Sequence, residues 1–213
     1  MLIANKLRAK ENIILLQENL DLINVRKAIV EDLDGIINVA SSVGKGNYES
    51  YDGFLMDNYN DNRIYFKNIF REKIKSLDFF YVAEKKNEIV GFLIGYTRTE
   101  WLLKNPNWIK DIVWSPNFDF KKTENFILSD KMAILANFTG HGIGSKIYKK
   151  FIKDINSLGY EYLFSETIID PVPNFASLSF RKKQSYKLAG MRYEKYNEIL
   201  YTDLIYYKST NIL

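Results

Sequence analysis

"ILANFTGHGIGSKIYKKFIKDI", residues 134–155, puts glycine at every second position, Gly140, Gly142 and Gly144. An apolar run, Met132 to Leu135, precedes the glycines, and a strongly periodic segment follows them. There Ile143, Ile147, Phe151 and Ile155 recur at four-residue steps flanked by Tyr148 and Ile152. Lys146, Lys149, Lys150 and Lys153 fall largely off that stripe. The pattern predicts an amphipathic helix over 142–157, packed on a sheet with its first turn open. Glycine serves where backbone takes unusual dihedrals or approaches a ligand closely. A helix N-terminus adds unpaired N–H groups and a partial positive charge. Together they make a phosphate site. A glycine-rich turn beside a solvated lysine face explains the same letters equally well.

Two familiar phosphate loops do not fit. The Walker pattern needs Gly-Lys followed by Ser or Thr, and here the order is Gly144-Ser145-Lys146. The dinucleotide fingerprint needs a third glycine three residues after the second. That position is Ser145 counting from Gly140 and Ile147 counting from Gly142.

Outward from the junction, the chain alternates strand and helix patterns. "INVRKAIV" reads as a strand and "EDLDGIINVASSV" as a helix with acidic residues in its first turn. "RIYFKNIFREKIKSL" carries Phe66, Ile69, Phe70, Ile74 and Leu77 on one helical face. "FFYVAEKKNEIVGFLIGYTR" is a hairpin turning at Lys86 and Asn87. Residues 100–125, with Pro106 and Pro116 among Asn and Asp, read as a loop-like insertion that holds all three tryptophans. "FILSDKMAILA" and "YEYLFSETII" are strands, "NFASLSFRKKQS" a short helix, and the remainder a hairpin turning near Asn197. Residues 1–20 read as an added helix or arm. No linker divides the chain, so 1–213 is expected to form one α/β domain with a mixed, mostly antiparallel sheet flanked by helices.

Composition narrows the chemistry. The 213 residues are 46% hydrophobic and 15% aromatic, enough for a sizeable core. Cysteine is absent, which excludes disulfides and thiolate metal sites, and one histidine excludes a histidine-rich metal site. No apolar run approaches the ~20 residues of a membrane span. Lys6, Arg8, Lys10 and Glu11 break any signal-like apolar centre. A cytoplasmic protein with neither membrane nor nucleic-acid partner is expected. The net charge of +4 admits an anionic ligand.

The glycine junction resembles the GNAT superfamily of acyl-CoA-dependent N-acetyltransferases, whose fourth strand ends in Gln/Arg-x-x-Gly-x-Gly/Ala. Here that stretch is Thr139-Gly140-His141-Gly142-Ile143-Gly144, with Thr139 in place of Gln or Arg. "INVRKAIVEDLDGI", "YVAEKKNEIVGFLIG" and "NFASLSFRKKQSYKLAG" are similar to the first strand and helix, the next two strands and the late Asn-x-x-Ala/Ser-x-x-Phe motif, over roughly residues 22–208. The resemblance implies acetyl-CoA as cosubstrate and no metal. The CoA pyrophosphate would lie on residues 139–144 together with Ser145 and Lys146, and pantetheine on the backbone at Met132 and Ile134. Asn174, Ser177 and Phe180 match the late motif and would also contact CoA. Tyr48, Tyr51 and Phe54 stand where the family meets its acceptor, a small-molecule or peptide amine.

Amine acetylation needs a deprotonated amine, a placed thioester and a stabilised leaving group. The family's tyrosine acid falls at Arg181, a fixed charge suited to a thiolate or phosphate rather than to proton donation. A solvated helix-end arginine beside Lys182 and Lys183 is an equal reading. Glu166 is the favoured base, ahead of Asp130 and of a water relay, because a carboxylate in an apolar strand is desolvated. His141 is read as a loop residue. The tryptophan insertion is a lid, a homodimer surface or a self-packed excursion. Two rivals stand beside acetyl transfer: a CoA-binding module without catalysis, and transfer of a longer acyl group.

Overall fold

A computed structural model describes residues 22–43, 51 and 53–211. The N-terminal arm and Tyr48 lie outside the described residues. In chain order come β1 (Ile23–Lys27), α1 (Leu33–Ser42), α2 (Arg63–Ser76), β2 (Phe79–Lys85), β3 (Glu88–Thr97), α3 (Arg98–Lys104), α4 (Trp108–Asp111) and β4 (Val113–Trp114). After these come β5 (Phe126–Ile134), α5 (Ile143–Ser157), β6 (Tyr162–Asp170), α6 (Phe175–Lys183), β7 (Lys187–Tyr196) and β8 (Ile199–Ser209). The eight strands form one mixed sheet in the order β1-β2-β3-β5-β6-β8-β7-β4. Among the described residues only β5–β6 is parallel; the other six neighbours are antiparallel. Both hairpins turn where sequence places them. Lys86 and Asn87, and Asn197 and Glu198, all take positive φ, the geometry that matches strand twist in a two-residue turn.

Two apolar layers sandwich the sheet. On one face α1 buries Leu33, Ile36, Ile37 and Ala40, and α2 buries Phe70, against Phe80, Val82, Phe92 and Phe164. On the other, α5 lays Ile143, Ile147, Phe151 and Ile155 against Tyr81, Leu93, Ile127 and Leu163. Among the described residues no helix is long and apolar enough to cross a membrane.

The insertion is not the loop expected over 100–125. It starts at Arg98 and is built of α3, α4, β4 and a 3-10 turn at Phe120–Thr123. A capping box starts it: Thr97 Oγ1 accepts from Glu100 N–H (3.2 Å), and Glu100 Oε2 accepts from Thr97 N–H (2.7 Å). Its aromatics pack on the body. Trp108 is buried against Phe126 and Phe164, and Trp114 stacks on Phe118 at 4.4 Å. β4 then joins the sheet as an edge strand beside β7.

β5 and β6 pair only from Phe126↔Tyr162 to Ser129↔Ser165, although both strands run five residues further. The cause lies on the other side of β5. Against β3 the register passes from Gly95↔Ser129 to Ile94↔Lys131, leaving Asp130 as a bulge. A bulge bends its strand and increases twist. It also reverses side-chain alternation: Phe126 and Leu128 face the α1 layer, whereas Met132 and Ile134 face the α5 layer. From residue 130 onward the β6-facing edge of β5 has no strand partner, and a cleft opens through the sheet.

Candidate active site

The cleft leads into a cavity of about 600 Å³ that touches both faces of the sheet. At one end lies the glycine turn. Gly140 and Gly142 take φ of +83° and +84°, a left-handed backbone that a side chain disfavours. Gly142 caps α5, whose first internal bond is Lys146 N–H to Gly142 C=O (3.1 Å). The amides of Ile143, Gly144 and Ser145 precede that bond and belong to the open first turn. A Cβ built on Gly140 meets nothing within 4 Å. The turn therefore has donors, positive helix-end potential and room, which suit a phosphate group.

On the α5 face of the cleft stands Arg181, only 7% exposed. Arg181 reaches Thr167 Oγ1 with Nε (3.4 Å) and Tyr148 Oη with a terminal N–H (3.3 Å). Its guanidinium also lies over the Tyr186 ring at 5.2 Å. The Tyr148 and Tyr186 hydroxyls contact each other, and burial pushes the Tyr186 phenol well above its ordinary value. The solvated-arginine reading is thereby corrected. Lys182 and Lys183 are exposed, but Arg181 falls on the inner side of α6, with Tyr148 and Tyr186 closing over it.

On the opposite face stands Glu166, one residue beyond the last β5–β6 pair. Trp108 Nε1 donates to Glu166 Oε1 (2.8 Å), and Arg192 Nε lies 2.7 Å from the same oxygen. The side chain keeps 19% exposure. Burial pushes its carboxyl up to about 7, against the opposing pull of Arg192 and of the Trp108 hydrogen bond. Asp203 sits across β8 on the same face, 3% exposed, raised to about 8 by burial and then by the Glu166 and Glu194 carboxylates.

A glycine-capped helix start and a largely buried carboxylate thus flank a split parallel pair. Residues 47–184 match the family model described as acetyltransferase (GNAT) family. The chain belongs to that family. Solved GNAT-fold structures superpose along almost their whole length. An N-acetyltransferase from Staphylococcus aureus Mu50 has TM-score 0.57 and 17% identity, covering 89% of this chain and 99% of that one. The PaiA N-acetyltransferase of Thermoplasma acidophilum, in complex with coenzyme A, has TM-score 0.57 and 18% identity, covering 88% and 98%. The ribosomal-protein-S18-alanine N-acetyltransferase of Escherichia coli has TM-score 0.57 and 10% identity, covering 90% and 96%. At such identities the likeness is one of fold. No curated protein sequence matches the chain.

In this GNAT chain the cavity wall gathers most of the residues expected from sequence. Met132, Ile134, Thr139, Gly140, Gly142, Ile143, Gly144 and Ser145 line the side of the glycine turn. Asn174, Ser177, Phe180, Arg181, Glu166 and Phe54 line the rest. His141 and Lys146 are not in the wall. Tyr51 is 80% exposed and packs its ring tilted against Phe175, outside the cavity wall. Asn174 has two roles: its Oδ1 caps α6 by accepting from Ser177 N–H (3.0 Å), and its Nδ2 donates to Phe54 C=O (3.1 Å). Sequence reading missed Trp101, Arg192 and Asp203. One signal was available: in "LYTDLIYY" the buried every-second series Tyr201, Asp203, Ile205 sets a lone acid among inward-facing apolar residues.

Proposed function

We propose that the chain transfers an acetyl group from acetyl-CoA to a primary amine by direct attack. The observation that carries this reading is the disposition about the cleft: Arg181 and the glycine turn on one face, Glu166 on the other. When bound, acetyl-CoA supplies a thioester whose carbonyl carbon takes the amine nitrogen as the C–S bond breaks. The residues present fit that cosubstrate. The Gly140–Ser145 turn has donors and free space for pyrophosphate, and the open edge of β5 at residues 130–134 offers backbone groups to pantetheine and to charge on the acyl oxygen. Glu166, with its carboxyl near 7, takes the proton from the incoming ammonium and keeps it out of the C–N bond-forming step. The Arg181 guanidinium, with Tyr148 and Tyr186 around it, provides positive charge for the departing thiolate, which leaves as the thiol by taking the second proton that the nitrogen loses.

Incubation with labelled acetyl-CoA and a panel of alkylamines, polyamines, aminoglycosides and peptides tests the reaction, and the pH profile tests the base. For the wild type, kcat/KM should rise with pH through a limb near 7, as Glu166 loses its proton. Glu166→Gln should lose that limb and about 100-fold or more in kcat/KM. CoA binding without transfer to any amine would leave a CoA-binding module instead.

A further inference from the structure

Among the described residues three buried side-chain polar atoms lack a hydrogen-bond partner: Trp101 Nε1, Arg192 Nε and Asp203 Oδ2. All three residues line the active-site cavity. Arg192 Nε at least has the Glu166 carboxylate beside it, at 2.7 Å. Asp203 Oδ2 is the one unpartnered atom that belongs to an acid. Arg192 stands directly opposite Asp203 in the β7–β8 ladder, yet its guanidinium is turned to Glu166 and Glu194. One arginine therefore pairs with two carboxylates, and among the described residues Asp203 forms no ion pair of its own, although the Arg192 charge still pulls its carboxyl down. Lys131 lines the same cavity but is not among the charges that act on Asp203. Burial opposes the Lys131 charge, but Asp130, Tyr59 and Asp57 outweigh that and hold it protonated.

A buried carboxylate oxygen without a hydrogen-bond partner is costly unless a ligand supplies a donor or cation. We propose that the acceptor is a primary amine carrying a second cationic group, which Asp203 Oδ2 binds while the amine to be acetylated lies beside Glu166. The two anchors are offset along the sheet. Asp203 opposes Ile168, two residues beyond Glu166 on β6, or roughly 7 Å of strand. A short alkyl diamine spans such an offset, and a monoamine meets only one end of it. Burial and the Glu166 and Glu194 carboxylates push the Asp203 carboxyl up to about 8, so a bound cation would take the place of a proton there.

This inference rests on the acetyl-transfer reading, and the experiment separates the two. The probes are diaminobutane and diaminopentane against butylamine and pentylamine, at saturating acetyl-CoA. Wild-type kcat/KM should favour the diamines by on the order of 10- to 100-fold, well above the two-fold given by a second amine alone. Asp203→Asn should collapse that preference toward parity while calorimetry shows CoA affinity retained. Equal use of mono- and diamines by the wild type would overturn the inference and leave acetyl transfer standing, as would a preference that survives Asp203→Asn. Should no amine be acetylated, the transfer reading falls, and calorimetric titration of diaminobutane into the CoA-loaded protein decides the inference alone. Binding abolished by Asp203→Asn upholds it, and absence of binding overturns it. The wild-type comparison stands even if the variant fails to fold.

Discussion

Arg181 occupies the place where the family resemblance puts a tyrosine acid, and its surroundings decide how it acts. A guanidinium does not titrate in the working range, so it contributes charge and geometry rather than a proton. Arg181→Ala should lower turnover by on the order of 100-fold without removing any limb from the pH profile. Arg181→Tyr should restore part of the rate and add a basic limb. Steady-state pH profiles of the two variants check both outcomes. Glu166 depends on residues far away in sequence. Trp108 reaches it from the insertion, and Arg192 from the closing hairpin. Trp108→Phe keeps the ring and removes the donor that pulls the carboxyl down. The activity limb should move above 7, by about one unit for a lost hydrogen bond of ordinary strength. Glu166 could be singled out from sequence as an acid in an apolar strand. Its partners could not, because nothing in local spacing brings positions 108, 166 and 192 together.

Elements with a period of their own were legible. The stripe Ile143, Ile147, Phe151, Ile155 is the buried face of α5, and Phe70 is the buried centre of α2. The glycine turn was legible as a turn, and the backbone supplies its reason, since Gly140 and Gly142 both take left-handed φ. Gly140→Asp should weaken CoA binding by at least about ten-fold, because a carboxylate then faces the space where phosphate would lie. The apo protein should lose only about 1–2 kcal/mol from backbone strain, as the added Cβ meets no protein atom. Calorimetry with CoA and thermal melting separate the two effects. Elements formed across the chain were less legible. Pro106, Pro116 and scattered Asn give the insertion a loop-like composition, and the strand pattern that ends at Arg98 masks the Thr97–Glu100 capping box that starts its helix. Burial of Arg181 was hidden for the same reason. The neighbouring lysines are local, whereas Tyr148 and Tyr186 come from α5 and the approach to β7.

At the scale of the whole molecule, two acids sit where the fold prefers them neutral. The unfolded chain releases the Glu166 and Asp203 protons near 4.5 and 3.8, while the folded protein holds them to about 7 and 8. Each group's contribution to stability is therefore fully present below about pH 4 and is lost as pH rises toward 8. Asp203→Asn should flatten that decline and raise the melting temperature of the apo protein at pH 8 relative to wild type, with little change near pH 4. Melting curves across that range check it. The acids are thus a strain carried by the fold, of the kind functional sites commonly show. The bulge at Asp130 has a consequence of another kind. It makes the opening in the sheet a matter of counting. Replace Asp130 by almost any residue and the extra position remains; delete it, and odd and even positions beyond Ser129 exchange faces. Met132 and Ile134 would then turn from the glycine-turn side toward α1, and β5 would be free to zip onto β6. A one-codon deletion can thus erase the site while leaving every side chain named here but one in the sequence, because part of what the chain encodes is a length rather than an amino acid.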